Sequence, residues 1–212
     1  MTQLVAIRTN ASAATGIGHL ARTYHLAAAI KKQGLESHFF LDKKEPFFDE
    51  YLHPFSCTYL YQEAEAFYDE VADARRFVAL GNKDDFLAVI VDDYRLARDW
   101  EENAASLGCP LVVLDDRDSV SHECSMIIDA KWTGDSTNER YRDKVPEECV
   151  RLLGPKYVLM GEAYSNESNS LSKNRTDQIF SIMLSLGGGG DMGVLKKLLE
   201  KLLRYVPEGK EF

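Results

Sequence analysis

The sequence has no stripe of lysine and arginine and no long apolar run. Over 212 residues, 34 acidic side chains outnumber 25 basic ones, and the net charge is -9. Without a local excess of positive charge, we expect no extended binding to nucleic acid. No window approaches the roughly 18 consecutive apolar residues of a membrane-spanning helix, so we expect no membrane insertion. The first residues also lack the basic and apolar segments of a secretory signal, so we predict a cytoplasmic protein.

Cysteine pairs and the common phosphate and nucleophile motifs are also missing. The four cysteines form no CxxC pair, which argues against a zinc site and favours free thiols in a reducing compartment. There is no GxxxxGK[ST] loop and no GxSxG motif. The first glycine loop has Ala21 where the dinucleotide fingerprint needs its third glycine, which does not favour a nicotinamide cofactor. We therefore predict neither a metal nor a cofactor.

What the sequence does contain is a regular alternation of short apolar segments with helical ones. Apolar runs that end in acidic residues, such as 86–92 and 110–116, are typical of buried parallel strands. The predicted strands are 4–10, 35–41, 57–61, 86–92, 110–116 and 125–130, and the predicted helices are 19–32, 46–51, 63–80 and 97–107. This order predicts an α/β fold with a doubly wound, Rossmann-type parallel sheet.

The sequence also predicts two domains, the second incomplete. Residues 1–161 are predicted to form an amino-terminal Rossmann-like domain, less regular from 131 on, with a short strand or an extended packing segment at 157–160. The Ser- and Asn-rich stretch 162–177 is predicted to be a linker. Residues 178–212 then begin a second domain with one strand, a second glycine loop and one helix. Because two elements cannot form a domain, we expect the chain to be a truncated part of a longer protein.

The last predicted helix, 192–205, has an apolar face that no other predicted element covers. This face consists of Leu195, Leu198, Leu199, Leu202 and Leu203. Either the remainder of a second domain packs on it, or a neighbouring copy covers it through self-association.

The loop after the first strand ends in Gly16, Gly18 and His19. Glycine lets the chain turn sharply from strand to helix and approach a ligand closely. His19 then lies in the first turn of the helix, whose partial positive charge disfavours a protonated imidazole. We therefore expect a neutral ring that can accept a proton. The alternative is an ordinary capping loop in which the histidine has no chemical role.

Two strand ends carry pairs of acids. Asp92 and Asp93 are followed by Tyr94, and ligands of parallel sheets bind outside the carboxyl ends of the strands. Tyr94 can present its hydroxyl there with a carboxylate beside it; alternatively, the acids cap the next helix and Tyr94 packs on the surface. Asp115 and Asp116 end the following strand, where they bind a magnesium diphosphate or, as is more common, act as caps.

The second glycine loop contains Gly187, Gly188 and Gly189, directly before the last helix. Backbone N–H groups in such a loop are well placed to bind phosphate. The alternative is a plain flexible turn.

Several motifs occur together and in order along nearly the whole chain. They are R-x-N-x-S…G-x-G-H-x-x-R at 8–22, V-D-D-Y at 91–94, L-D-D at 114–116, H-E-C-S-M-I-I-D at 122–129, L-L-G-P-K-Y at 152–157 and S-L-G-G-G-G-D at 185–191. This series resembles the hydrolases of the pseudaminic-acid pathway, which act on a UDP-linked diacetamido-trideoxy sugar. The sequence departs from that family at Asn10, where Asp is more usual, and at Thr23, where Cys is more usual.

The resemblance implies a GT-B-like fold, with two facing Rossmann-type domains and the substrate between them. It implies that His19 is the general base on water and that Tyr94 is a second active-site residue. The substrate-binding residues that it suggests are Arg8, Asn10, Gly16, Ile17, Gly18, Arg22 and Asp93. Most contacts with UDP would lie in the second domain, where Gly187, Gly188 and Gly189 would bind the diphosphate.

The expected chemistry needs only one base. UDP is a good leaving group and needs little help from a general acid, unlike the leaving groups of ordinary inverting glycosidases. We therefore predict hydrolysis with inversion to UDP and free sugar, and we expect the chain alone to be inactive because one wall of the cleft is missing. Two alternatives stay open: a GT-B glycosyltransferase of surface-polysaccharide or spore-coat glycan synthesis, similar to MurG, and a non-catalytic domain that binds a sugar nucleotide.

Overall fold

The computed structural model describes residues 4–12, 16–46, 48, 52–62, 68–81, 86–164, 184 and 192–204. Its strands are β1 (Leu4–Thr9), β2 (Glu36–Leu41), β3 (Ser56–Tyr59), β4 (Phe86–Asp92), β5 (Leu111–Leu114), β6 (Met126–Asp129) and β7 (Val150–Leu153). These seven strands form one parallel sheet in the order β3-β2-β1-β4-β5-β6-β7. The predicted α/β class with a Rossmann-like parallel sheet is confirmed.

Of the helices in the described residues, three lie between strands along the chain and the fourth follows the last strand. They are α1 (Gly18–Lys32), α2 (Glu70–Leu80), α3 (Arg98–Ala104) and α4 (Met192–Leu203), with 3-10 turns at Ala105–Leu107, Ser136–Glu139 and Pro155–Tyr157. Helix α2 begins later than the predicted position 63, because the Asp69 side chain accepts hydrogen bonds from the backbone N–H groups of Val71 and Ala72 and so caps the helix there. Of the short helix predicted at 46–51, most lies outside the described residues.

The carboxyl end of the sheet domain differs from the prediction. Strand β7 was not predicted, because it is an edge strand whose first residues are exposed and form no apolar run. Of the two alternatives predicted for 157–160, the strand is wrong, and Val158 has extended backbone angles. Gly154, with φ of 98°, turns the chain after β7, and Pro155–Tyr157 forms a 3-10 turn instead.

Two apolar cores lie on opposite faces of the sheet, because neighbouring strand residues point to opposite faces. In β4, Val89 and Val91 pack into one core together with Phe77 of α2 and Trp100 of α3. Ile90 packs into the other core, which includes Leu20 and Ala27 of α1. The sheet is therefore doubly wound.

The strand order reverses between β1 and β4. From β1 the chain proceeds outward to β2 and β3, and from β4 it proceeds the other way to β5, β6 and β7. In such sheets the loops after the two central strands separate and leave a crevice at their carboxyl ends, where ligands bind. Here that crevice lies between the loop after Thr9 and the loop after Asp92.

The predicted second domain is described only in part. Helix α4 confirms the helical pattern of 192–205, and its residues Val194, Leu198, Leu199 and Leu203 are exposed. The strand and the glycine loop predicted before it lie outside the described residues, except for position 184. No helix in the described part of the chain combines the length and the apolar character needed to cross a bilayer.

Candidate active site at the reversal of strand order

A histidine and an aspartate meet in the crevice between β1 and β4. His19 lies in the first turn of α1, and Asp92 is the last residue of β4. The distance between His19 Nδ1 and Asp92 Oδ1 is 2.6 Å. Arg22 Nη2 lies 3.2 Å from the same nitrogen, farther than the carboxylate of Asp92. Because an ionised carboxylate only accepts hydrogen bonds and makes the shorter contact, we assign the proton to Nδ1, and in the neutral ring Nε2 keeps a free lone pair. No described residue forms a hydrogen bond with Nε2, and the His19 side chain is 17% exposed.

Arg22, which lies on α1 like His19, binds the carboxylate of Asp92. Its Nε lies 2.5 Å from Oδ2, and its Nη2 donates to Oδ1, so the contact is bidentate. Burial lowers the pKa of Arg22, but the hydrogen bond and the charge of Asp92 outweigh burial and raise it above its ordinary value. Arg22 is therefore charged and forms a bidentate ion pair with the fully buried Asp92.

Tyr94 stands beside the histidine ring. The ring centroids of His19 and Tyr94 are 4.5 Å apart, and the rings meet edge to face at 88°. The Tyr94 hydroxyl donates a hydrogen bond of 2.7 Å to Asp116 Oδ1. Burial and this contact raise the pKa of Tyr94 to about 12. The phenol is therefore neutral at physiological pH.

Two predicted ligand-binding residues have other partners. Arg8 is fully buried, with Nη2 at 2.6 Å from both Asp42 and Asp73 and Nη1 at 2.8 Å from the Thr9 carbonyl oxygen. A guanidinium so enclosed cannot reach a substrate, so the predicted role of Arg8 in substrate binding does not fit the structure. Asp93 is also buried, and it accepts hydrogen bonds from Arg95 at 3.0 and 3.2 Å. Its carboxylate anchors that arginine.

The first glycine loop has the sharp turn that its sequence suggests. Gly16 has φ of 77°, which glycine adopts without strain, and its N–H donates to the Ser12 carbonyl oxygen at 2.8 Å. Asn10, Ile17 and Gly18 lie on the same loop and are partly or fully exposed, as a ligand contact would require. The predicted phosphate-binding residues Gly187, Gly188 and Gly189 lie outside the described residues.

Asp115 has no free oxygen for magnesium. Its Oδ1 accepts from Arg117 Nε at 2.7 Å, and its Oδ2 lies 3.2 Å from His122 Nε2. Burial raises the pKa of Asp115, but the hydrogen bonds from His122 and Arg117 outweigh it and lower the pKa to about 2. In the part of the chain that the structure describes, no group of three or more His, Cys, Asp or Glu residues is arranged to hold a metal ion.

His122 is a buried histidine to which the sequence assigned no role. Its side chain is 1% exposed, and its Nδ1 lies 2.7 Å from Glu101 of α3, opposite the contact with Asp115. Burial lowers its pKa, but the hydrogen bonds and charges of the two carboxylates outweigh burial and raise the pKa to about 9. His122 is therefore a charged bridge between α3 and the end of β5.

We expect the contribution of His122 to the free energy of unfolding to fall as the pH becomes alkaline. The folded pKa of about 9 exceeds the unfolded value of roughly 6.5. Its stabilisation is thus complete below the unfolded pKa and is lost as pH rises through the folded one. The difference between the folded and the unfolded pKa of His122 corresponds to about 3 kcal/mol of free energy of unfolding. Urea unfolding is measured near the unfolded pKa and near the folded pKa. Relative to the wild type, His122→Gln should lower the free energy of unfolding more at the lower of these two pH values.

The control for this experiment is His53→Gln, because His53 is exposed. Its effect on the free energy of unfolding should be small at both pH values. An equal loss for His122→Gln at the two pH values would contradict a charged His122.

MJ1062, an archaeal protein, is a distant relative of this chain. No protein-family model matches the chain. The uncharacterized protein MJ1062 of Methanocaldococcus jannaschii is 23% identical over 210 residues, which cover 94% of this chain. The chain spans 40% of the length of that archaeal protein.

Proposed function

We propose that this protein hydrolyses a UDP-linked amino sugar, with His19 as the general base that activates water. The observation that carries the proposal is the contact of 2.6 Å between His19 Nδ1 and the buried Asp92, at the reversal of strand order. A base that is oriented by a carboxylate, with its second nitrogen free, is the arrangement that activates a hydroxyl or a water in many hydrolases. The sugar is proposed to be the diacetamido-trideoxy sugar of the resemblance.

The proposed reaction inverts the anomeric centre. Water loses a proton to Nε2 of His19 as its oxygen attacks the anomeric carbon, and the bond to UDP breaks with its electron pair on the diphosphate. The diphosphate is stable as an anion, so the site needs no acid on the leaving group, and His19 can work without a second catalytic carboxylate. The Asp92 carboxylate stabilises the imidazolium that forms.

The remaining contacts are assigned by position. Asn10, Gly16, Ile17 and Gly18, on the loop after β1, are proposed to contact the sugar. UDP is proposed to bind the predicted second domain, through Gly187, Gly188 and Gly189. Turnover should therefore need a complete second domain, so activity is measured on a chain in which both domains are complete, which we call the full-length protein.

The direct test is UDP release without an acceptor. We expect the full-length protein to release UDP from a UDP-linked diacetamido-trideoxy hexose in buffer alone. Proton NMR of the first product should show the inverted anomer. UDP release that requires an added sugar acceptor would identify a glycosyltransferase instead, and binding without any release would identify a non-catalytic domain.

A further inference from the structure

Three residues contact Tyr94, and their contacts favour one orientation of its hydroxyl group. Asp116 accepts the hydroxyl proton at 2.7 Å. The guanidinium carbon of Arg117 lies 4.6 Å from the centre of the Tyr94 ring, and Arg117 Nη1 donates to the Tyr94 carbonyl oxygen at 2.6 Å. His19 touches the ring edge to face. The phenol therefore cannot turn its proton away from Asp116 without losing a charge-assisted hydrogen bond.

The arginine in this arrangement is itself anchored. Arg117 Nε donates to the buried Asp115 at 2.7 Å, and Asp115 is bonded in turn to His122 and to the hydroxyl of Tyr141 at 3.3 Å. This chain of contacts connects Tyr94 to the buried side of α3. The position of the Tyr94 ring is therefore set before any ligand binds.

We infer that Asp116 makes Tyr94 a hydrogen-bond acceptor, so that Tyr94 Oη and His19 Nε2 together bind one water molecule through its two hydrogens. The inference rests on the proposed function. His19 Nδ1 donates to Asp92 and Tyr94 Oη donates to Asp116, so each group offers only lone pairs elsewhere. No described residue donates to Tyr94 Oη or to His19 Nε2. Asp116 is thus a positioning residue that acts through Tyr94.

Two acceptors on rings that contact each other favour water over an alcohol. Water has two protons and satisfies both acceptors, with its oxygen lone pair left for the anomeric carbon. Tyr94 is 39% exposed without a ligand, so this preference arises once the sugar covers the crevice. An alcohol has one proton, so it leaves either His19 or Tyr94 unpaired there, and an unpaired polar group cut off from water is unfavourable. When water reacts, one proton passes to His19 Nε2 and the other stays on the new sugar hydroxyl, still bonded to Tyr94. The two acceptors therefore favour hydrolysis by water over transfer of the sugar to an alcohol.

The first arm of the test measures the partition between hydrolysis and alcoholysis. The full-length protein is supplied with the UDP-linked amino sugar in aqueous methanol, and free sugar and methyl glycoside are quantified by NMR. The wild-type protein should give almost only free sugar. Tyr94→Phe should raise the ratio of methyl glycoside to free sugar about tenfold, because the unpaired acceptor is gone.

Asp116 provides the matched pair of variants. Asp116→Ala frees the Tyr94 hydroxyl to donate to methanol, and it should raise the ratio as Tyr94→Phe does. Asp116→Asn keeps a carbonyl oxygen that accepts the Tyr94 proton, so its ratio should stay near the wild-type value. Equal ratios in the wild type, Tyr94→Phe and Asp116→Ala would overturn the inference and leave the hydrolase proposal standing.

The second arm needs no turnover. Tyrosine Cζ resonances are titrated by carbon NMR in the 212-residue chain, and Tyr94→Phe assigns the signal of Tyr94. The titration midpoint of Tyr94 should fall in Asp116→Ala, because the charged neighbours that remain around the phenol are Arg22 and the Asp115–Arg117 pair. An unchanged midpoint would overturn the role of Asp116 even if UDP is released. A lowered midpoint without any UDP release by the wild type would instead refute the proposed function.

Discussion

His19→Ala is expected to lower the turnover of the UDP-linked amino sugar by about 10²–10⁴ in the full-length protein, the range for loss of a general base. The ring is the only described group that combines an orienting carboxylate with a free nitrogen at the reversal of strand order. Alanine removes the proton acceptor and leaves the α1 backbone unchanged. The measurement is kcat for UDP release, with the affinity for UDP measured separately by calorimetry.

Two further variants separate a chemical role of His19 from a structural one. Asp92→Asn should also lower kcat, because an amide can hold the ring in the wrong tautomer and cannot stabilise the imidazolium. His53→Ala is the control, since His53 is exposed and outside the crevice. If His19→Ala keeps the wild-type kcat, the proposed mechanism is lost, whereas the description of the fold is unaffected.

Asp73→Ala is expected to destabilise the fold by about 3–5 kcal/mol, the range for removing one partner of a buried ion pair. Asp73 is fully buried and accepts hydrogen bonds from Arg8 Nη2 at 2.6 Å, Trp100 Nε1 at 2.8 Å and the Tyr61 hydroxyl at 2.8 Å. Without it, the guanidinium of Arg8 stays buried with only part of its charge compensated. Because domains are stable by roughly 5–15 kcal/mol, the loss should be visible as a large drop in the urea midpoint.

The control for Asp73 is Asp99→Ala, which removes an exposed carboxylate from the first turn of α3. It should change the free energy of unfolding by less than about 1 kcal/mol. A loss for Asp73→Ala as small as that of the control would mean that Arg8 is not buried as described. Arg8 would then return to the list of candidate substrate ligands.

The sheet could be predicted because its signal is local. A parallel strand covered on both faces must be apolar along its length, and the runs 86–92 and 110–116 have that composition and contain β4 and β5. Local composition stops predicting strands where burial is partial. Strand β7 is exposed at its start and forms no apolar run, whereas the apolar residues of 157–160 are compatible with a strand as well as with the extended segment that the structure contains.

The site was predicted in part, and the errors concern which side chain faces which neighbour. The sequence singled out His19, Tyr94 and the acids before Tyr94, but it favoured Asp93 for the ligand. In the structure Asp92 contacts His19, and Asp93 contacts Arg95, because successive residues at a strand end point in different directions. The sequence contains no signal that distinguishes the two acids.

The α/β class, the parallel strands, the turn at Gly16 and a histidine at the start of α1 can be read from the amino-acid sequence, because these features depend on residues that are neighbours along the chain. The partners of the side chains come from the folded arrangement of the strands: Asp92 for His19, Asp116 for Tyr94, Asp73 for Arg8, and Cys124 beside Cys149 with 3.6 Å between their sulfur atoms. Such pairs join residues from 22 to 73 positions apart. Their meeting depends on the order and register of the strands, which no local pattern encodes.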